Sequence, residues 1–119
     1  MANTFKVVTN DAMPASAGTP LTLYTVPGST TTVVLGLILC NVHTTAVTAS
    51  VKLTSSTAGS NPNSNADVML AKDVDIPAGS SLELLSGSKL IMQTTDDILI
   101  DCSVSAKLDA SLSIMEITK

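Results

Sequence analysis

The residues best suited to chemistry lie within four positions of one another, in "LILCNVHTT" (37–45). Cys40, Asn41 and His43 are residue types that both nucleophilic catalysis and metal binding use. The surrounding pattern predicts a β-strand over 31–42, on which successive side chains point to opposite faces. Cys40 would then face away from Asn41 and His43, which leaves a cysteine nucleophile without a base in reach. The stretch therefore predicts the end of a core strand, with no catalytic and no metal-binding role.

The two cysteines raise a second question, whether they form a disulfide. Strict alternation along 31–42 places Cys40 on the same face as Val34 and Ile38, a small apolar set. Cys102 lies on another long predicted strand, so an inter-sheet bridge is one alternative. Cysteine is also a small buried hydrophobe, and no large aromatic residue is present to pack beside a bridge. Two buried thiols are the favoured interpretation.

Carboxylates occur in pairs, and paired carboxylates can hold a hard cation when several oxygens converge. Asp73 and Asp75 share a predicted strand face, while Asp96 and Asp97 precede Asp101 on another strand. Neither stretch contains the D-x-D-x-D-G pattern of a calcium loop. Solvated strand edges and turns explain these residues, and a metal at a subunit interface is the alternative. No cofactor is predicted.

Composition excludes several classes of function. The 119 residues suit one domain, and 45% are hydrophobic but only 2% aromatic, so Val, Leu, Ile, Ala and Met must build the core. The six basic residues are all Lys and the net charge is −4, which argues against nucleic-acid binding. No nucleophile elbow, phosphate loop or zinc-protease motif is present, so an enzyme is not expected. No signal peptide or membrane span is predicted either.

Alternating polar and apolar residues dominate the chain, and helical spacing is nearly absent. The pattern predicts an all-β fold, an antiparallel β-sandwich of eight or nine short strands, either jelly-roll-like or immunoglobulin-like. Residues 1–20 are assigned to an N-terminal arm or first strand and 21–119 to the sandwich, with a long polar loop at 55–66 and a turn at 86–88. The predicted strands span 4–9, 21–26, 31–42, 46–54, 67–76, 81–85, 89–93, 97–106 and 110–118.

The last predicted strand changes phase. Leu112 and Ile114 occupy alternate positions, but the next apolar residues are Met115 and Ile117, which fall on the opposite parity. An extra residue in one strand of an antiparallel pair produces such a slip, so the sequence predicts a β-bulge here.

Three stretches resemble a small β-domain of tailed-bacteriophage virion proteins, notably those of marine and cyanobacterial phages. They are "LYTVPGSTTTVVLGLILCNVHTTAVTASVKL" (23–53), "VDIPAGSSLELL" (74–85) and "DILIDCSVSAKLDASLSIMEI" (97–117). The motifs are turns and strand patterns and carry no chemistry. Where the family commonly has Gly-Asp before the penultimate strand, this chain has Asp96-Asp97, so that turn is expected to differ in type.

The resemblance implies a non-enzymatic virion protein, foremost a capsid decoration (cement) protein that reinforces the shell. A tail, baseplate or fibre component is the alternative, and a carbohydrate-binding module a weaker one because few aromatic residues are available. The implied partners are the major capsid protein or other virion subunits, in a homo-oligomer with a trimer favoured, assembled in the host cytoplasm. The contact is expected in the N-terminal segment, at Asn3, Phe5, Val7, Met13 and Pro14.

Overall fold

The computed structural model describes residues 2–57, 64–85 and 87–118. The middle of the predicted 55–66 loop and the first residue of the predicted 86–88 turn lie outside them. The described residues contain no helix, and hence none long and apolar enough to cross a membrane. All nine predicted strands are confirmed, with bounds β1 (Ala2–Met13), β2 (Leu21–Thr25), β3 (Thr30–Asn41), β4 (Val47–Thr54), β5 (Val68–Ile76), β6 (Ser81–Leu84), β7 (Leu90–Met92), β8 (Asp97–Cys102) and β9 (Leu108–Thr118).

The strands form two antiparallel sheets, which confirms the predicted sandwich. The first sheet has the order β1-β9-β3-β6, with β7 beside the other half of β3, and the second has the order β2-β8-β4-β5. Apart from the β4–β5 and β6–β7 connections, each strand is followed in the chain by one in the opposite sheet. This strand order is the double Greek key of a jelly roll. The sandwich is therefore jelly-roll-like and not immunoglobulin-like.

The core between the sheets is aliphatic, as composition predicted. Inward-facing side chains of the central strands are completely buried, among them Leu37, Val51, Ile100 and Leu112. Each such side chain contributes about 1.5–3 kcal/mol through the removal of apolar surface from water. Alternation places the remaining side chains, many of them polar, on the opposite face of the same strands, which is why a period of two residues is visible in the sequence.

A bulge in β3 reverses the predicted facing of its second half. The pairing of β3 with β9 shifts between Val34 and Gly36. Val34 and Leu37 are both fully buried, whereas Leu35 and Ile38 are exposed. Strict alternation beyond Val34 was therefore wrong, because one extra residue inverts every side chain that follows it.

The bulge predicted in β9 is absent, and this prediction was also wrong. Every residue of β9 from Leu108 to Thr118 has a register partner in β3, the extra residue of the bulge lies in β3 opposite Ser113 and Ile114, and β9 itself keeps its alternation. Met115 and Ile117 are on the outer face, and the inward position between them belongs to Glu116, which is 5% exposed. The apparent phase slip thus marks a buried carboxylate.

The N-terminal segment is part of the first sheet. β1 is an edge strand that pairs with β9 from Ala2 to Met13, with one irregularity between Asn10 and Met13. Side chains from residue 2 to residue 12 are exposed or half-buried, whereas Met13 and Pro14 are buried. Most of β1 is therefore held by ladder hydrogen bonds, and its last residue anchors it in the core.

Candidate functional site

The stretch that suggested chemistry is a structural corner. The Asn41 side chain is buried, and its Nδ2 donates to the carbonyl oxygens of Thr45 (3.0 Å) and Ile76 (2.9 Å). Its Oδ1 accepts the backbone N–H of His43 at 2.7 Å. All of its bonds go to backbone groups, so Asn41 ties the end of β3 to the following turn and to β5. Buried backbone groups need such partners.

The two cysteines are free and face different regions. Cys102 is buried and points into the core from the second sheet, whereas Cys40 lies half-buried on the outer surface of the first sheet. The prediction that Cys40 shares a strand face with the buried Val34 was wrong, because the bulge at Leu35 reverses the facing of every later side chain in β3. A bridge across the sandwich is incompatible with this geometry, since the two side chains lie on opposite sides of the first sheet.

The paired carboxylates form hydrogen bonds that hold turns and strand edges. Asp96 is buried and accepts hydrogen bonds from Ser55 Oγ (2.8 Å) and the backbone N–H of Gln93 (2.9 Å), while Thr95 adopts a left-handed φ of 74°. Asp73, with φ 49°, bonds Ser50 in β4. Within residues 2–57, 64–85 and 87–118, no three His, Cys, Asp or Glu residues gather in a metal-binding arrangement.

A four-residue network, which the motifs did not indicate, joins the two sheets. Tyr24 Oη in β2 donates to Glu116 Oε2 in β9 at 2.6 Å and, at 2.8 Å, accepts from Thr32 Oγ1 in β3. Lys6 Nζ in β1 lies 2.7 Å from Glu116 Oε1. The signal for this network was available in the sequence as charged residues at two inward-facing positions, Lys6 and Glu116.

The network shifts two ionisation equilibria. The hydrogen bond from Lys6, followed by that from Tyr24, holds the pKa of Glu116 below its ordinary value of 4.5. Burial, with the bond to Glu116, raises the pKa of Tyr24 to about 12. Both shifts keep the carboxylate ionised and the phenol protonated near neutral pH, which is the combination that the bonds require.

The outer face of the first sheet is apolar over half of its length. Phe5, Met115, Val33 and Ile91 are successive cross-strand partners on β1, β9, β3 and β7. Phe5 is 72% exposed and Ile91 65% exposed. Val7, one position further along the same face of β1, is 64% exposed. We use the name first-sheet face for the whole outer surface of the first sheet, which comprises this apolar half and the carboxylate-bearing half described in the next paragraph.

The other half of the first-sheet face carries carboxylates. A shallow groove of about 660 Å³ lies there, lined by Asp11 of β1, Asp109 of β9, and Ile38 and Cys40 of β3, among others. Glu83 of β6, the register partner of Ile38, is exposed beside it. The face therefore combines an apolar half with an anionic end.

The five residues predicted as contacts fall into two groups. Asn3, Phe5 and Val7 occupy alternate, exposed positions of β1 and share the outer side of the first sheet. Met13 and Pro14, by contrast, are buried. Sequence reasoning missed Val33, Ile91 and Met115, because they join the face only through strand pairing between distant segments.

Comparison with known proteins identifies the fold and no family. No family model matches the chain, and no curated protein matches it in sequence. Two chains from virus particles are similar in structure. One is from the T13 IBDV viral particle (TM-score 0.55, 13% identity, 96% of this chain, 30% of that chain). The other is from the infectious bursal disease virus VP2 subviral particle (TM-score 0.55, 12% identity, 96% and 32%).

This chain spans about a third of the length of those viral chains. A chain from Bacillus endospore appendages, described as pili, is also similar, with 13% identity over 98% of this chain and 87% of that one, at a TM-score of 0.49. The chain is thus a jelly-roll domain whose first sheet has an exposed, partly apolar outer face. Its structural neighbours come from viral particles and pili.

Proposed function

We propose that the chain is a non-enzymatic structural subunit of a tailed-phage virion, and that it acts as a capsid decoration protein. The observation that carries this proposal is the first-sheet face, whose apolar row exposes Phe5 and Ile91 to water. Large contiguous apolar surfaces on soluble proteins mark sites of protein contact. The sequence resemblance and the jelly-roll fold support the same role, and the major capsid protein is the proposed partner shell.

The proposed contact is Asn3, Phe5 and Val7 on β1, together with the neighbouring strands that share their face. Aromatic and aliphatic side chains at the centre of an interface provide most of its binding free energy. A carbohydrate-binding role has less support, because the Tyr24 hydroxyl is engaged with Glu116 and Thr32 inside the sandwich. Phe5 is then the one exposed aromatic residue among those described.

The test measures whether the purified chain binds to virus particles that were assembled without it. Phe5→Ser/Val7→Ser is the informative variant, since both side chains are exposed and lie outside the hydrophobic core. Removal of residues 2–12 is a poorer probe, because it takes away the strand beside β9 and the cation beside Glu116. Val42→Ser, at a half-exposed position that follows β3 and lies outside the apolar row, is the matched control.

We expect the wild type and Val42→Ser to bind the particle stoichiometrically and Phe5→Ser/Val7→Ser to lose binding by about tenfold or more, the effect of removing one hot-spot side chain. Electron microscopy of labelled particles then locates the protein. Labels on the head support the decoration role, and labels on the tail or fibres favour a tail or baseplate component. Full incorporation of the double variant would contradict the proposed contact.

A further inference from the structure

We propose that the outer edge of β1 pairs with the same edge of β1 in a second copy of this chain. The two strands run antiparallel about a two-fold axis, so that the two first sheets become one continuous sheet. The inference goes beyond the proposed function. It leaves the first-sheet face to the capsid shell, because strand pairing uses the backbone groups at the edge of a sheet and not its face.

β1 is a long and regular edge strand. It pairs with β9 without a register shift from Ala2 to Asn10 and contains no proline. The other described edge strands discourage pairing, since β2, β6 and β7 have only five, four and three residues. β5 has two register shifts against β4 and exposes Lys72, Asp73 and Asp75. Short, irregular or charged edges resist strand addition, whereas a long regular edge is a template for it.

The direction of the backbone groups in β9 follows from two hydrogen bonds at the end of β3. The Asn41 N–H donates to Ser80 O at 2.9 Å, toward β6, and the Val42 N–H donates to Lys107 O at 3.1 Å, toward β9. Successive backbone groups of a strand point to opposite neighbours. Lys107 and every second residue after it therefore point their N–H and C=O groups at β3. The residues between them, from Leu108 onward, point theirs at β1.

The same alternation identifies the unpaired backbone groups of β1. Lys6 and Val8 are the register partners of Ile114 and Leu112, so their N–H and C=O groups belong to the ladder with β9. The odd-numbered residues point their groups away from β9, and no hydrogen bond among the described residues uses those groups. We call this row the free edge, and its residues are Asn3, Phe5, Val7 and Thr9.

A second copy of β1 matches the free edge without rearrangement. An added strand must present its own unpaired N–H and C=O groups at every second residue, and the free edge of another copy has that spacing. Residues 2–7 are exposed on both faces of β1, so no described segment lies over them. The contact is isologous, because each copy satisfies the groups of the other, and this is the commonest geometry of a soluble dimer.

The side chains of β1 select the register. An axis through Lys6 would set two lysines directly opposite each other, and like charges in that position are destabilising. An axis through Val7 instead places Lys6 opposite Val8 of the second copy, whose apolar side chain packs on the lysine stem. It also places Phe5 opposite Thr9 of the second copy. The ladder then runs from residue 4 to residue 10, and the N–H groups of both copies form about six hydrogen bonds across it.

The size of this ladder predicts a reversible dimer. It is about 23 Å long and about 10 Å thick, which is smaller than a standard interface of about 800 Å² on each partner. We therefore expect an equilibrium that depends on concentration. The two-fold axis keeps both first-sheet faces on the same side of the joined sheet. The dimer thus offers the shell two contacts at once, which strengthens binding through effective concentration.

A proline at position 9 tests the pairing. Thr9 points its N–H at the free edge, so Thr9→Pro removes a donor of the new ladder and leaves the ladder with β9 and the apolar row intact. Thr9→Ala keeps the N–H and is the matched control. Sedimentation equilibrium over a concentration series measures dimerisation, and circular dichroism with urea unfolding confirms that each variant is folded. Amide hydrogen exchange of the wild type is a second measurement that needs no variant.

We expect the wild type and Thr9→Ala to dimerise, and Thr9→Pro to have a Kd weakened about tenfold or more. In the wild type, the amides of Phe5, Val7 and Thr9 should gain protection as the concentration rises. Those of Lys6 and Val8 should be protected at every concentration, because they bond β9.

Three results overturn the inference: a wild type that stays monomeric up to about 1 mM, a wild type that forms a trimer, or a Thr9→Pro variant that dimerises as the wild type does. Protection of the Phe5, Val7 and Thr9 amides only after capsid particles are added also overturns it, and assigns the free edge to a segment of the shell.

These outcomes are separable from those for the proposed function. A wild type that dimerises through β1 but does not bind particles supports the inference and refutes the proposed function. A monomeric wild type that binds particles through Phe5 and Val7 refutes the inference alone.

Discussion

Tyr24 and Glu116 meet across the sandwich although 92 positions separate them in the chain, with the phenol donating to the carboxylate at 2.6 Å. Tyr24 belongs to β2 of the second sheet and Glu116 to β9 of the first. Lys6 of the edge strand β1 completes the arrangement from the other side of the carboxylate. The two sheets and the N-terminal strand are thus joined at a single side chain.

Removal of the Glu116 charge should weaken this junction. We expect Glu116→Gln to lower the free energy of unfolding by about 1–3 kcal/mol, because a buried hydrogen-bonded ion pair becomes an amide with poorer acceptors. Urea unfolding provides the measurement. Glu83→Gln, at an exposed position of β6, is the matched control and should change stability by no more than about 0.5 kcal/mol. Equal effects of the two substitutions would refute a special role for Glu116.

The lowered pKa of Glu116 predicts a component of acid instability. Since its folded-state pKa is below the ordinary value of 4.5, its contribution to stability is complete above that pH. The contribution is lost as the pH falls through the folded-state pKa, because protonation breaks the ion pair with Lys6. Unfolding free energies measured from pH 6 downward should therefore decline less steeply in Glu116→Gln than in the wild type. Parallel acid profiles would contradict this assignment.

Tyr24 is the one tyrosine of the chain, so its ionisation can be followed directly by phenolate absorbance. We expect a midpoint near pH 12 in the folded protein, compared with about 10 in urea, because burial and Glu116 raise the pKa of the phenol. The stabilisation by Tyr24 is then complete below pH 10 and is lost as the pH rises toward 12. In Glu116→Gln the midpoint should fall toward 10; an unchanged midpoint would assign the whole shift to burial.

Asn41 should matter far more than the reactive-looking residues beside it. Asn41→Ala leaves the Thr45 and Ile76 carbonyl oxygens and the His43 N–H without their partner. We expect a loss of about 1–3 kcal/mol from those unpaired buried groups. His43→Ala and Cys40→Ala, on either side, are the controls and should each cost less than Asn41→Ala. A larger effect at His43 would point to a role for the imidazole that the hydrogen bonds do not indicate.

The two thiols should differ in accessibility. Cys40 is half-buried at the edge of an open groove and Cys102 is buried in the core. We expect a thiol reagent to modify one cysteine per chain in the native protein, and the second only when denaturant is added. Cys40→Ser should remove the fast reaction. Formation of an intramolecular disulfide in oxidising buffer, detected by mass spectrometry, would contradict the separation of these side chains.

The errors in the sequence interpretation of β3 and β9 concern the direction in which side chains face. Alternation identified all nine strands because the local period of two follows from backbone geometry alone. It could not locate the bulge at Leu35, because a bulge is defined against the partner strand β9, which lies far away in sequence. From that residue onward the assigned faces of β3 were inverted. In β9, by contrast, the strand is regular, and the buried charge of Glu116 was mistaken for a bulge.

The all-β class, the aliphatic core and the strand positions could be predicted from the sequence, since they depend on local alternation and composition. Tertiary structure alone decided the jelly-roll order, the facing of Cys40 and the partners of Glu116. It also assembled the apolar row from Phe5, Met115, Val33 and Ile91, four residues of separate strands. The physical reason is that strand pairing and burial are non-local: each depends on which distant segments pack together, and no short stretch of sequence contains that information.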